Sequence, residues 1–308
     1  MTEHFVTLFD KNYAILGLAL YGSLKRHAGD FCLWVVCMDS YTERLLLSLD
    51  LPNLNVIGLG EIENTDLLTI KPGRTAGEYC WTMTPFSLNG VLKNNPHIRR
   101  VTYLDSDVFF FKDPRILLSE LANTGKHVLI TEHAYDPIYD QSVQCGRFCV
   151  QFVTMSNTPE GRHVCDWWES RCLEWCFNRM EDGKFGDQKY LDEWPVIFKD
   201  EVHVLTAVHE TLAPWNVKRA LSSDVVPVMY HFHGLRFMNR HRVRLYDGYD
   251  VGALAPRLYS EYIIEIKKIL AQSKFRFDLP LESRSTSLSE SWYRFKKRLT
   301  SVRSEVAI

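Results

Sequence analysis

Two carboxylates two residues apart, Asp105 and Asp107, sit where one apolar run, Val101-Thr102-Tyr103-Leu104, gives way to another, Val108-Phe109-Phe110-Phe111. Lys112-Asp113-Pro114 closes the segment. In extended chain, residues i and i+2 face the same side, so the two acids converge while Ser106 turns away or offers its backbone amide. Like charges that close repel unless a cation lies between them. A hard divalent ion with oxygen ligands, Mn2+ or Mg2+, meets that need. Such an ion bridges the phosphates of a nucleotide diphosphate and stabilises charge on a leaving diphosphate. A bare Asp-x-Asp is common by chance; its setting between two apolar runs makes this one informative.

The flanking sequence supplies the elements that must hold those acids. Residues 5–9 (FVTLF) read as a strand, 13–27 as a helix, and 31–38 (FCLWVVCM) as a strand buried on both faces. A helix over 42–49 and a strand over 55–59 follow, then a helix over 85–92 and a strand over 100–104. Strands over 128–131 and 148–155 come next, then a Trp/Cys-rich helix over 164–179 and a last helix over 257–270. This alternation predicts an α/β fold with a mostly parallel, doubly wound twisted sheet flanked by helices. Ligands of such sheets bind outside the carboxyl ends of the strands, where Asp105 falls.

The chain resembles a GT-A glycosyltransferase, a nucleotide-diphospho-sugar transferase, with a motif order similar to the retaining glycogenin- and galactosyltransferase-like families. The resemblance rests on Thr7-Leu8-Phe9-Asp10-Lys11-Asn12-Tyr13, Leu104-Asp105-Ser106-Asp107, Phe185-Gly186-Asp187-Gln188, Leu212-Ala213-Pro214-Trp215-Asn216 and His231-Phe232-His233-Gly234, over about residues 4–240. It implies a Rossmann-like GT-A domain over 1–270, a mixed sheet around Asp105, and a separate tail over 271–308. It places the nucleotide base against Thr7, Phe9, Asp10 and Tyr13. A carboxylate can accept the uracil imide N–H and a ring can stack on the base, although Asp10 as a cap of the next helix fits as well. His231, in His-x-x-Gly, becomes the third ligand beside Asp105 and Asp107. His233 is its rival, since alternate residues of 228–233 share a face.

The family's Lys-Pro-Trp is replaced by Phe237-Met238-Asn239, which leaves Arg236, Arg240, Arg242 and Arg244 as candidates to clamp the diphosphate. Ser106 and Arg236 are expected at the nucleotide. Asp187 is expected to hold sugar hydroxyls and Gln188 to lie under the anomeric carbon of a retaining enzyme. An inverting one would need Asp187 or Glu210 as base. The other reading of this pair is Asp187 as a helix N-cap beside a solvent-facing Gln188. Trp215 and Asn216 read as a sugar platform and its hydrogen-bonding partner, or as a buried tryptophan beside a proline turn. The segment Cys145-Gly146-Arg147-Phe148-Cys149-Val150-Gln151-Phe152 stands where the family has an Asn- and Gly-containing strand facing the donor; Cys149 and Gln151 depart from it.

The resemblance implies metal-dependent transfer of a hexosyl group from a UDP-linked donor to the hydroxyl of a glycan or glycolipid, in bacterial-type surface polysaccharide assembly. Two alternatives stand beside it: a non-catalytic nucleotide- or carbohydrate-binding module, and a sugar nucleotidyltransferase. The latter needs a glycine-rich basic loop that Phe9-Asp10-Lys11-Asn12-Tyr13 lacks. The 308 residues carry 36 basic and 38 acidic side chains, a formal net charge of −2, which gives no global reason for nucleic acid as partner. At 46% hydrophobic and 24% charged the chain is no disordered polymer. No apolar run reaches the roughly 18 residues of a membrane span, and Met1-Thr2-Glu3-His4 lacks a signal peptide's basic start. Eight cysteines without a CxxC pair suggest free thiols in a reducing cytoplasm. Cys165, Cys172 and Cys176 follow a helical core stripe, which argues against zinc there. Between 284 and 303 six basic residues face one acid, interleaved with Trp292, Tyr293, Phe295 and Leu299. This stretch reads as a solvated end or as a helix making peripheral contact with the inner face of a membrane.

Overall fold

A computed structural model of the chain describes residues 2–220, 226–239, 241–252, 255–272 and 303–308. Strand β1 (Glu3–Phe9) leads through α1 (Ala14–His27), β2 (Phe31–Cys37) and α2 (Ser40–Leu49) to β3 (Leu54–Gly58). Helix α3 (Ala76–Asn94) precedes β4 (Arg100–Leu104), β5 (Val108–Phe110), α4 (Arg115–Ala122), β6 (Val128–Glu132), β7 (Phe148–Ser156) and α5 (Pro159–Glu174). The remaining elements are β8 (Val202–Val204), β9 (Thr211–Leu212), β10 (Met229–His231), β11 (Arg236–Asn239), β12 (Arg242–Asp247), α6 (Ala255–Gln272) and β13 (Arg303–Ala307).

The main sheet has seven strands in the order β3-β2-β1-β4-β7-β6-β8. Strands β1, β2, β3 and β4 run parallel, as do β6 and β8, while β7 runs antiparallel to both β4 and β6. The mixed sheet expected around Asp105 is thus formed by β7. Strand β1 shows why such strands are apolar throughout. Phe5 and Phe9 enter one core with Leu16, Leu20 and Tyr262, and Val6 and Leu8 enter the other with Met83, Phe86 and Trp168. Helices α1 and α6 cover the first face, α3 and α5 the second.

Two helices begin earlier than the sequence pattern suggests. The start expected at Pro85 lies nine residues inside α3, which opens on a capping box in which Thr75 and Glu78 each bond the other's backbone N–H. Pro85 then leaves the Trp81 carbonyl without its helical partner. Helix α5 starts at Pro159 behind the N-cap Thr158, whose hydroxyl accepts from Gly161 N at 3.2 Å, and stops at Glu174. Its Cys165, Trp168 and Cys172 are buried in the core, and all eight cysteines are free.

Two small sheets complete the chain, β5-β10-β9 and β11-β12-β13. In the first, β10 lies antiparallel to β5 with His231 opposite Val108, which carries the end of β10 to the Asp105–Asp107 turn. In the second, β13 pairs with β12, so the end of the expected tail is part of a sheet. The rest of the basic aromatic stretch expected at 284–303 lies outside the described residues. Among the described residues no helix is long and apolar enough to cross a membrane.

Candidate active site

Asp105, Ser106 and Asp107 form the turn between β4 and β5. Both strands are buried, so the turn is pinned at each end, with Asp105 N donating to Gln151 O at 3.3 Å and Val108 N to Asp105 O at 3.1 Å. Ser106 and Asp107 are buried, while the Asp105 side chain keeps 23% of its surface open. Strand β10 hangs from the same turn, because Phe232 N donates to Asp107 O at 2.9 Å. This delivers the His231 ring, whose Nε2 lies 3.0 Å from Asp107 Oδ1 and 3.8 Å from Asp105 Oδ2. His231 Nδ1 lies 2.9 Å from Gln151 Oε1 on β7. An amide oxygen there accepts the Nδ1 proton and commits Nε2 to the carboxylates.

The charges are strongly coupled. Burial pushes the Asp105 carboxyl up, His231 pulls it back and Asp107 raises it again, leaving it at about 6. Burial also works against charge on Asp107, but the His231 ring overrides it and holds that carboxyl at about 2. Burial alone would lower His231; its contact with Asp107 raises it well above the ordinary imidazole value. A proton between Nε2 and Asp107 therefore does a cation's work. Asp105 and Asp107 each approach His231 Nε2, oxygen and nitrogen donors of the kind Mn2+ or Mg2+ would take, and the far nitrogen of that imidazole is already tied to Gln151.

The nucleotide-side residues divide. Tyr13 is about a third exposed, at 36%. Burial raises its hydroxyl, with Arg236, Asp107, Asp10 and Asp105 as its charged neighbours, so the end of β1 and the start of β11 face the same turn. Asp10 does not cap α1. Its carboxylate accepts from Asn12 N at 2.9 Å and Asn12 Nδ2 at 2.7 Å, closing a local turn. Thr7 is fully buried and its hydroxyl has no partner among the described residues. Phe9 needs correcting as a base-stacking candidate: its ring is 3% exposed and packs where a Cβ at Gly17 would collide with it, so it closes the core. Among the other arginines, Arg242 pairs with Glu305 at 2.6 Å, Arg244 is buried 4.0 Å from Asp247, and Arg240 lies outside the described residues.

Asp187 is 3% exposed, and its Oδ2 has no hydrogen-bond partner among the described residues. It stands before the short 3-10 turn Gln188–Asp192 without capping it. Burial raises its carboxyl to about 7, with Thr84 bonding it and Asp105 among its charged neighbours. Gly186 sets its approach: it has φ +54°, and a Cβ there would meet the Trp81 ring at 3.3 Å. Gln188 donates from Nε2 to the Cys145 carbonyl at 2.8 Å. Glu210 is held by Lys112 at 3.2 Å.

Trp215 and Asn216 are placed as in the second of their two readings, a buried tryptophan beside a proline turn. Asn216 is 3% exposed; its Oδ1 accepts from Ala213 N at 2.8 Å and its Nδ2 donates to His133 O at 2.9 Å. The Trp215 indole N–H donates to the same His133 carbonyl at 2.9 Å. Its ring backs the edges of His231 and His233, with centroids 5.4 and 5.5 Å away. Trp215 thus braces the two histidines, and Asn216 holds the turn that carries it. His233 is exposed beside His231 at a centroid distance of 5.7 Å and helps hold Asp107 down.

No family model matches the chain. The uncharacterized protein YfnF of Bacillus subtilis (strain 168) is 32% identical to it over 259 residues, 79% of this chain and 85% of YfnF. The chain belongs to the YfnF family. Its fold is that of the GT-A glycosyltransferases. The galactosyltransferase LgtC, solved with donor and acceptor sugar analogues, matches at 16% identity over 84% of this chain and 94% of LgtC, with a TM-score of 0.50. The glycosyltransferase GlyE of Streptococcus pneumoniae TIGR4 matches at 14% identity over 92% of this chain and 66% of GlyE, with a TM-score of 0.51.

In this YfnF-family chain, sequence reasoning missed the roles of Gln151, Cys149, Tyr103 and His133. Gln151 and Cys149 stand two apart on β7, so they share a face, and both meet His231. Their alternation with Phe148, Val150 and Phe152 in the first half of the strand was the available signal. Their meaning depended on knowing that β7 lies antiparallel to β4, with Phe152 opposite Leu104. Tyr103, two residues before Asp105, lends its hydroxyl to that carboxylate. His133 carried no sequence signal; its carbonyl anchors Trp215 and Asn216.

Proposed function

We propose that this YfnF-family protein is a glycosyltransferase that moves a hexosyl group from a UDP-linked donor, with Mn2+ or Mg2+, to a hydroxyl of a glycan or lipid-linked acceptor. The observation that carries the reading is the meeting of Asp105, Asp107 and His231 at the carboxyl edge of β4 in a GT-A fold. Asp105, Asp107 and His231 would hold the ion, which when bound neutralises the diphosphate and stabilises it as leaving group. Gln151 keeps His231 Nε2 facing that ion. Tyr13 and Asp10 face the nucleotide, Ser106 sits in the turn, and Arg236 brings a guanidinium beside Asp107 for the phosphates.

Asp187 is suited to the sugar hydroxyls. Its unpartnered, buried Oδ2 is an acceptor or donor still waiting for a partner. Gln188, anchored to the Cys145 carbonyl through its amide nitrogen, keeps its Oε1 for charge developing at the anomeric carbon, which favours retention. An inverting route through Glu210 would first have to break its pair with Lys112. His233 is the exposed edge for the sugar or acceptor, steadied by Trp215. The basic aromatic stretch at 284–303 fits peripheral contact with anionic lipid on a cytoplasmic membrane face, as expected of an enzyme building surface polysaccharide.

Incubation with a panel of UDP-sugars and Mn2+, read as released UDP, tests the activity. Turnover of at least one donor is expected. Binding of UDP without turnover of any donor would instead favour a non-catalytic module.

A further inference from the structure

Beside His231 stands a group that a hard-ion site does not use. A carboxylate oxygen of Asp105, Sγ of Cys149 and a ring nitrogen of His231 lie within 4.8 Å of one another. Asp107, although 3.0 Å from His231 Nε2, does not join a set of three whose ligand atoms all lie that close among the described residues. Cys149 is 3% exposed and lies beside the His231 ring, while the Asp105 side chain keeps 23% of its surface open to solvent.

Ligand chemistry separates this set from the one above. Mn2+ and Mg2+ favour oxygen ligands, whereas a thiolate selects softer ions, with zinc as the leading divalent case. We propose that Asp105, Cys149 and His231 form a second ligand set in the same cleft, one that takes a thiophilic divalent ion of the Zn2+ class. Binding forms metal–sulfur and metal–nitrogen bonds and releases two protons to solvent, the thiol's and the one His231 Nε2 shares with Asp107. Because Asp105 and His231 belong to both sets, the two ions exclude one another, and zinc displaces Mn2+ from the protein. The inference rests on the cleft being a metal site, as read above, but not on sugar transfer.

The test uses the full chain. Loaded with Co2+ as a spectroscopic stand-in for zinc, it should show a sulfur-to-cobalt charge-transfer band in the near ultraviolet. The band should vanish in Cys149→Ser, and again in Cys149→Ala. In competition with a chromophoric chelator, Zn2+ affinity should fall in both variants by at least the roughly tenfold that losing even an outer partner of a metal ligand costs. Mn2+-dependent UDP binding should change less than Zn2+ affinity. A wild-type cobalt spectrum without the band, a band that survives in Cys149→Ser, or unchanged Zn2+ affinity would overturn the inference; the first needs no variant to fold. Sulfur ligation without Mn2+-dependent UDP binding would support this site and sink the transfer reading, and the reverse result would do the opposite.

Discussion

Gln151 separates orientation from ligation at the centre of the site. It would touch neither ion nor substrate, yet its Oε1 fixes which nitrogen of His231 faces Asp105 and Asp107. Gln151→Leu keeps the side chain's bulk and removes that acceptor. Mn2+ affinity, measured by titration, is expected to fall about 10- to 100-fold. Asp187 shows a second cost carried by single residues. Its folded carboxyl is raised to about 7 by burial, from the usual 3.8. Below pH 4 the group is protonated in both states and costs nothing. As pH climbs toward 7 the unfolded chain ionises while the folded one resists, so stability is lost. Asp187→Asn should therefore stabilise the metal-free protein by on the order of 2–4 kcal/mol above pH 7. Denaturant titrations should show that gain shrinking toward pH 4, while transfer activity falls.

The elements that were legible in the sequence are the ones whose environment is uniform. FVTLF and FCLWVVC are covered on both faces and read as strands without ambiguity. The helices α3 and α5 were found but misplaced, because their starts are set by caps rather than by apolar spacing. Thr75-x-x-Glu78 and Thr158-Pro159 are both visible in the sequence, and a proline nine residues inside α3 masks the first. Asp105, Asp107 and His231 could be singled out by motif. The inward turn of Trp215 and Asn216 could not, since it depends on the position of the His133 carbonyl, 82 and 83 residues away. Loop geometry yields its own prediction. Gly186→Ala forces an L side chain into left-handed backbone against Trp81. It should cost about 1–2 kcal/mol in thermal unfolding and lower donor turnover, because Asp187 is the next residue.

At the scale of the molecule, two cores clamp one sheet and leave its carboxyl edge to be closed by β5, β10 and the turn between β4 and β5. The near-neutral charge of −2 hides a local imbalance, with six basic residues against one acid over 284–303. Replacing Lys296, Lys297 and Arg298 by glutamate should weaken co-sedimentation with anionic vesicles, each basic residue being worth about 1 kcal/mol at such a surface. Binding that is unchanged would assign that stretch to solvent. The central claim is that Asp105, Asp107 and His231 grip an ion which in turn holds a diphosphate. Calorimetric titration of UDP, with and without Mn2+, into wild type and Asp107→Asn tests it most directly. The account predicts tight binding only for wild type with Mn2+, and little metal dependence in the variant; UDP affinity indifferent to Mn2+ in the wild-type protein would contradict it.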